Sequence, residues 1–334
     1  MQTAKTYCFW ILVALGASAV ALADDSQAWL ERMNTALTTR NYDGVFSHWR
    51  GSRVETLRII HRVQGGEVRE RLVSLDGSER EFIRNGSEVT CYLPDKRVVL
   101  IEQRSKQDPL LGRLPKVDVG AAGFYETASL QRTRLMGRKT RLISVTPKDE
   151  YRYGYRLWID ETTAMPLKSQ LCDGRGRVIE QMVFASLVLP ATIPDTAFKP
   201  EVATNGFKWL RSNVGQDTMA MPILWAALRL PPGFRETARK SQVMPGGHEP
   251  VAHLVFTDGL ASVSVFVESS PSAGGAASLE QVSGVTRVGS TSAFSTVVEG
   301  HRVTAVGEVP PSTVQFIAKA MKSQQAASFN PPQH

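Results

Sequence analysis

The chain has 334 residues, a formal charge of +7 and three cysteines. That length suits about two domains. No window interleaves Lys and Arg with aromatics as a nucleic-acid platform does, and the histidines are too scattered to chelate zinc, so neither nucleic acid nor a metal or other cofactor is expected.

In chain order, Lys5 precedes an almost wholly apolar run from Cys8 to Val20, and Ala21-Leu22-Ala23 supplies the small residues of a cleavage site. Residues 1–23 read as a secretory signal, too short and wrongly flanked for a membrane anchor. Asp24, not Cys, follows the site, so a lipid-anchored form is not indicated and the mature protein is expected to be exported and soluble. Losing Lys5 leaves it moderately basic, with anionic options among lipid headgroups, lipopolysaccharide phosphates and acidic peptides. An oxidising compartment permits a bridge between the two mature cysteines, Cys91 and Cys172; two buried free thiols are the alternative.

Asp24 to Arg40 reads as one amphipathic helix, with Trp29, Leu30, Met33 and Leu37 on a single face and Asp24, Asp25 and Ser26 as caps. From Val45 to Leu189, short β-rich runs alternate with turn dipeptides such as Gly65-Gly66, Asp76-Gly77, Asn85-Gly86 and Asp173-Gly174. Such spacing predicts a large antiparallel sheet, sandwich or barrel. Arg104 to Gly123 breaks the rhythm and reads as a lid, a plug or a loop. The proline-rich run from Leu189 to Asp217 is a connector. Beyond it a smaller α+β unit is expected, with strands at His253–Thr257, Ala261–Glu268, Phe294–Glu299 and His301–Glu308. A closing helix opens at Pro310-Pro311-Ser312 and buries Val314, Ile317, Ala318 and Met321. The expected division is signal 1–23, first domain 24–200, linker 201–217, second domain 218–322 and a disordered tail 323–334.

Residues 66 to 92 crowd Glu67, Arg69, Glu70, Arg71, Glu79, Arg80, Glu81 and Arg84 together. Paired carboxylates can serve hydrolysis, but each acid here has a basic neighbour, as on a solvated strand face, so these charges are expected to look outward. There is no nucleophile elbow, P-loop or dinucleotide fingerprint, and Gly174-Arg175-Gly176-Arg177 is a hairpin loop by context. An enzyme is not expected. A curved sheet of this size either encloses an apolar cavity or packs solid. The inward candidates, and therefore the candidate lipid-binding residues, are Phe46, Leu57, Ile59, Leu72, Phe82, Val99, Ile101, Leu157 and Ile159, with Tyr153 and Tyr155.

Particular residues then carry a resemblance. They include His61-Arg62-Val63, Val68-Arg69-Glu70-Arg71-Leu72, Leu75-Asp76-Gly77, Thr146-Pro147, Arg152-Tyr153-Gly154-Tyr155 and Met165-Pro166-Leu167-Lys168 in the first domain. In the second they are Leu230-Pro231-Pro232-Gly233-Phe234, Asp258-Gly259-Leu260, Ser264-Val265-Phe266-Val267 and Val306-Gly307-Glu308-Val309-Pro310. In this order over both domains the chain resembles the RseB/MucB family of periplasmic sigma-E regulatory proteins. One departure is Arg229, where relatives tend to place an aromatic. The resemblance implies an α+β, mostly antiparallel protein: an unclosed N-terminal β-barrel similar to the lipoprotein carriers LolA and LolB, then a smaller C-terminal α+β domain. It implies a non-enzymatic periplasmic negative regulator of the envelope-stress response. Such a protein binds the periplasmic part of an inner-membrane, RseA/MucA-like anti-sigma factor and shields it from site-1 proteolysis. It is released on sensing lipopolysaccharide or lipoprotein acyl chains. A plain lipoprotein or lipid carrier is the alternative, and a homo-oligomer is an open option. For partner contact, Phe234, Phe256 and Phe266 are the candidates.

Overall fold

The computed structural model describes residues 17–104, 110–111, 123–211, 224–243, 250–268 and 284–324. Most of the expected signal, nearly all of the 104–123 insert and most of the tail lie outside the described residues.

Helix α1 (Ala17–Thr39) runs through the expected cleavage site. Its residues Trp29, Leu30, Met33 and Ala36 are buried at helical spacing, so one stripe of its second half faces the sheet. Eleven strands follow: β1 (Tyr42–Arg50), β2 (Arg53–Gln64), β3 (Glu67–Ser74), β4 (Glu81–Asn85), β5 (Glu88–Leu93), β6 (Val98–Gln103), β7 (Tyr125–Leu135), β8 (Arg138–Pro147), β9 (Gly154–Asp160), β10 (Pro166–Cys172) and β11 (Val178–Val188). The expected dipeptides make the turns: Gly65, Gly66, Gly77 and Gly86 all sit at positive φ between strands, where a side chain is strained.

With β12 (Lys208–Arg211) these strands form one twelve-stranded sheet in the order β12-β6-β5-β4-β3-β2-β1-β11-β10-β9-β8-β7. The two end strands, β12 and β7, are not paired with each other, so the sheet is an unclosed half-barrel. Every pairing is antiparallel except β12 on β6, which is parallel. The connector expected at 201–217 thus contains a strand that extends the first sheet. Its chain reaches β6 from the end of β11 by crossing the outer wall, where residues 193, 197 and 201 meet Arg62, Arg71 and Glu81.

The second domain comprises β13 (Trp225–Ala227), β14 (Arg235–Val243), β15 (Pro250–Thr257), β16 (Ser262–Glu268), β17 (Gly284–Val288), β18 (Thr291–Val298), β19 (His301–Gly307), helix α2 (Pro311–Ala320) and β20 (Met321–Ser323). Six strands order as β14-β15-β16-β19-β18-β17, and β13 pairs with β20. The expected face of α2 holds: Val314, Ile317 and Ala318 join Met321 in a core with Leu254, Phe256, Val263, Val265, Val303 and Ala305. Strands β14 and β17 were not anticipated, because their sequences RETARKSQV and GVTRV carry almost no apolar alternation. Across both domains the architecture is α+β and mostly antiparallel.

Candidate functional site

Residues directly opposite in an antiparallel ladder share a face of the sheet. Ile59 faces Leu72, Leu72 faces Phe82, Phe82 faces Cys91 and Cys91 faces Leu100, which defines the inner face on one side of the half-barrel. On the other side Phe46 pairs with Leu57 and Phe184, and Leu157 pairs with Ile143. Of the candidate lipid-binding residues, Phe46, Ile59, Leu157 and Ile159 are buried in a single core with Trp29, Leu30 and Met33 of α1, and Leu57, Leu72 and Tyr155 pack partly buried against it. Phe82 is half-buried on the same face. Two candidates lie on the opposite face. Val99 pairs with Tyr92 and Ile101 with Thr90, which puts both on the outer face, while Leu100 takes the inward position. The run Val98-Val99-Leu100-Ile101 is apolar at every position, so alternation had no power to choose between its faces.

The insert reaches this interior. Leu111 is buried in the same core and Leu110 packs beside it. The Leu110 backbone N–H donates to Glu70 Oε2 at 2.9 Å. Helix α1 therefore covers part of the inner face and two leucines of the insert fill another part.

The charges of residues 66–92 overturn the expectation that they mostly face water. Glu67 and Glu79 are exposed, but Glu70, Arg71, Glu81 and Arg84 are buried, none more than 4% exposed. They divide between the two faces. Inside, Arg84 donates to Glu70 Oε2 at 3.1 Å and to the Gly86 carbonyl at 2.8 Å. His61 Nε2 lies 3.9 Å from Glu70 Oε1. The other ring nitrogen, Nδ1, is 2.9 Å from the Arg40 carbonyl and so carries the proton there, and the ring stacks on Tyr42 at 4.6 Å. Burial depresses the His61 pKa and raises that of Tyr42, the latter helped by the Glu70 charge. Outside, Arg71 Nε donates to Glu81 Oε1 at 2.5 Å, and Glu81 Oε2 accepts the Glu201 N–H at 3.1 Å. Arg62 donates to the Ile193 carbonyl and to Asp195, while Phe198 lies under its guanidinium and packs with Ile60 and Ile193. The cause of the burial is non-local. The connector between β11 and β12 straps the outer face, and α1 with the insert covers the inner one. Glu70 and Glu81 thus lie on opposite sides of the wall, each tied to an arginine, so they cannot flank one substrate as a carboxylate pair must.

The second concentration of polar chemistry lies between the domains, and the sequence reading did not single it out. Arg152 and Asp258, both side chains 0% exposed, form an ion pair at 2.8 Å. Arg152 also donates to Asp149 and to the Pro232 carbonyl, and its guanidinium lies within 5.4 Å of the ring centres of Phe124, Tyr125 and Phe234. The Tyr125 hydroxyl donates to Asp258 Oδ2 at 2.9 Å; burial first, then the Asp258 charge, raise its pKa strongly. Asp258 Oδ1 in turn accepts the Leu260 and Ala261 N–H groups, fixing the turn that carries it. Nearby, Glu180 receives His48 at 2.6 Å and Ser290 at 2.5 Å, and Arg50 bridges Glu180 and Glu308. Thr313 of α2 donates to the Tyr151 carbonyl at 2.7 Å. Tyr153, just before β9, and Tyr155 near its start stand at this end of the sheet, where burial and the acids around it raise the Tyr155 pKa.

Of the candidate partner residues, Phe234 belongs to this interface through Arg152 and Phe256 sits in the second core. Phe266 stacks on His253 at 4.4 Å, on the sheet face away from α2. Burial and then Lys240 depress the His253 pKa to about 4. Cys91 and Cys172 are free, buried thiols on β5 and β10, with five strands between them in the sheet. Burial lifts the Cys91 thiol to about 11, far from reactive thiolate. Among the described residues no group of three His, Cys, Asp or Glu is gathered as a metal site.

Comparison with known proteins accounts for both domains. The family model for the MucB/RseB N-terminal domain matches residues 25–202, and that for the MucB/RseB C-terminal domain matches residues 219–322. The sigma factor AlgU regulatory protein MucB of Pseudomonas aeruginosa is 33% identical over 322 residues, 95% of this chain and 97% of its own. The sigma-E factor regulatory protein RseB of Escherichia coli K12 is 27% identical, over 89% of this chain and 90% of its own. The complex structure of Pseudomonas aeruginosa MucA/MucB aligns with a TM-score of 0.69 at 28% identity, covering 90% of this chain and 100% of that one. A crystal structure of MucB aligns at 0.61, covering 90% of this chain and 98% of that one. The matched models, the length of the shared alignment and the two-domain structure agree, and the chain belongs to the MucB/RseB family.

Proposed function

We propose that this protein is a periplasmic negative regulator that binds the periplasmic part of a membrane anti-sigma factor and shields it from site-1 proteolysis. The observation that carries the reading is the end-to-end alignment, through both domains, with a MucB solved in complex with the periplasmic part of MucA. The relatives are named regulatory proteins, and the division of Glu70 and Glu81 across the wall argues against hydrolysis by that pair. Binding of the purified mature chain to the periplasmic segment of its cognate anti-sigma factor tests the reading; no retention in a pull-down would sink it.

Release by lipopolysaccharide or lipoprotein acyl chains is the second half of the proposal. It is supported by the apolar inner face and by the seat of Leu110 and Leu111 in it, because an acyl chain offers the same apolar surface as two leucines and can compete for their place. For lipid to displace the partner, its affinity must differ between the free and partner-bound arrangements. Acylated ligands that neither bind nor weaken the complex would end this half and leave the first standing. A simple lipid carrier has no use for the second domain, which is docked here by a fully buried ion pair. Deleting the chain beyond Asp217 abolishes partner binding under the regulator reading and leaves lipid carriage intact under the carrier reading.

A further inference from the structure

Besides the seat of α2 on Tyr151, two glycine turns of the second domain press against first-domain side chains. At Gly233 (φ +81°) a Cβ would stand 2.2 Å from the Phe124 ring, and at Gly289 (φ +61°) it would stand 2.2 Å from Arg50 Cγ. The docked arrangement is therefore a discrete, tightly fitted state. The two points differ in how their acids meet. Beside Gly233, Arg152 stands between Asp149 and Asp258 and pairs with both. Beside Gly289 two carboxylates from different domains, Glu180 of β11 and Glu308 just beyond β19, meet across one serine. Ser290 Oγ is 2.5 Å from Glu180 Oε2 and 3.3 Å from Glu308 Oε1.

Counting hydrogens decides what this bridge needs. A serine hydroxyl has one hydrogen and cannot donate to both acids. If it donates along the shorter contact to Glu180, the contact to Glu308 is a hydrogen bond only when Glu308 carries a proton and donates it to Ser290 Oγ. We propose that mild acid tightens the docking of the second domain, by placing a proton on Glu308 that completes the chain Glu308–Ser290–Glu180 across the interface. The inference rests on the domain contact alone and does not depend on the identity of any partner.

The charged and titratable groups facing the bridge are His48 and Arg50 from β1, Tyr153 and Tyr155 from β9, and, farther off, Asp258 and Arg287. Arg50 is shared between the two acids, so its single charge does not balance both, and His48 adds charge only when protonated. Burial, then Glu180, raise the Glu308 pKa against the opposing pull of Arg50 and Ser290. Glu180 moves the other way: burial acts against its charge, but His48, Ser290 and Arg50 together hold its pKa down. The signs follow. Raising the docked-state pKa of Glu308 means that the docked form binds this proton more tightly than the open form. Docking is then favoured below that raised value and weakens as pH climbs through it. Glu180 favours docking above the ordinary carboxyl range and withdraws its contribution as pH falls through its lowered value. The window of tightening runs from the raised Glu308 value down to the ordinary glutamate range.

Spin labels at the exposed positions Ser52→Cys and Thr237→Cys on the full mature chain test this, since Cys91 and Cys172 are buried. Distances between the labels are recorded by double electron–electron resonance from about pH 8 to about pH 4, which spans the window down to the ordinary glutamate range. The docked distance should gain population on acidification, up to about tenfold in docked over open for each pH unit by which docking raises Glu308. Glu308→Gln, a permanently neutral mimic, should hold the acid-like distribution at every pH, and Ser290→Ala, which removes the hydroxyl between the two acids, should lower the docked fraction in acid. Gly289→Ala, which crowds Arg50, should populate the open form throughout and so verifies that the labels report docking. A wild-type distribution that does not change with pH, or a Glu308→Gln protein that titrates like the wild type, overturns the proposal. Neither result would bear on anti-sigma factor binding, which the pull-down reads separately.

Discussion

Two fully buried arginines, Arg84 and Arg152, make the same bond in different places. Arg84 pairs with Glu70 inside the wall of one domain, between strands of one ladder; Arg152 pairs with Asp258 across two domains. Each is a carboxylate–guanidinium contact with almost no exposure, so desolvation offsets much of the attraction in both. What differs is the escape open to the group when its partner is removed. A charge stranded within the half-barrel reaches water only if the sheet itself opens. A charge stranded between domains reaches water if the second domain swings away. The same chemistry therefore acts as a fold determinant in the first place and as a clasp in the second.

The largest effect tests the first half of that contrast. Arg84→Ala, which leaves Glu70 buried and unpaired, should cost the first domain about 3–5 kcal/mol in urea unfolding followed by circular dichroism. Replacing both partners, Arg84→Met with Glu70→Leu, should recover most of the loss, because what the single change exposes is an uncompensated charge rather than a missing attraction. If the double variant is as unstable as the single one, the Leu110 and His61 contacts to Glu70 matter more than the pair. Next, Arg152→Ala should lower the stability of either domain less than Arg84→Ala does, since the loss is capped by the docking free energy. Its mark is instead a larger radius of gyration in X-ray scattering and faster proteolysis between the domains. A first domain destabilised as much as by Arg84→Ala would abolish the distinction. Tyr125→Phe removes one of the donors to Asp258 and should weaken docking by about 1 kcal/mol, read from the same label distances. Arg132→Ala sets the baseline: its bridge to Glu161 is open to solvent on the arginine side, and unfolding should shift by less than about 0.5 kcal/mol.

Much of the molecule was legible beforehand because its signals are local. Glycines at Asp76-Gly77 and Asn85-Gly86 mark tight turns whatever surrounds them, and the apolar stripes of α1 and α2 follow from helical spacing alone. The burial of Glu70, Arg71, Glu81 and Arg84 was not legible. The groups that cover them, Leu110 on one face and Asp195 to Glu201 on the other, are 40 or more than 100 positions away in sequence. Alternating charge looks the same on a wet strand and on one roofed by a distant segment. Val99 and Ile101 were misplaced for a related reason: an unbroken apolar strand carries no record of which face turns inward. The interface was half-visible. Residues 152–155, 230–234, 258–260 and 306–310 all stood out as signs of kinship, but nothing in the order of the chain says that they meet.

By itself the sequence determined the class of fold, the turns, the helix faces and the kinship, each set by backbone preference or by periodic burial within a few residues. Only the tertiary structure decided which charges are buried, which apolar residues point inward, and that Arg152 finds Asp258 while Glu180 comes within one hydroxyl of Glu308. Those outcomes depend on solvent exclusion by segments remote in the chain. The cost or benefit of a charge is set by what covers it, and that is a property of the folded whole.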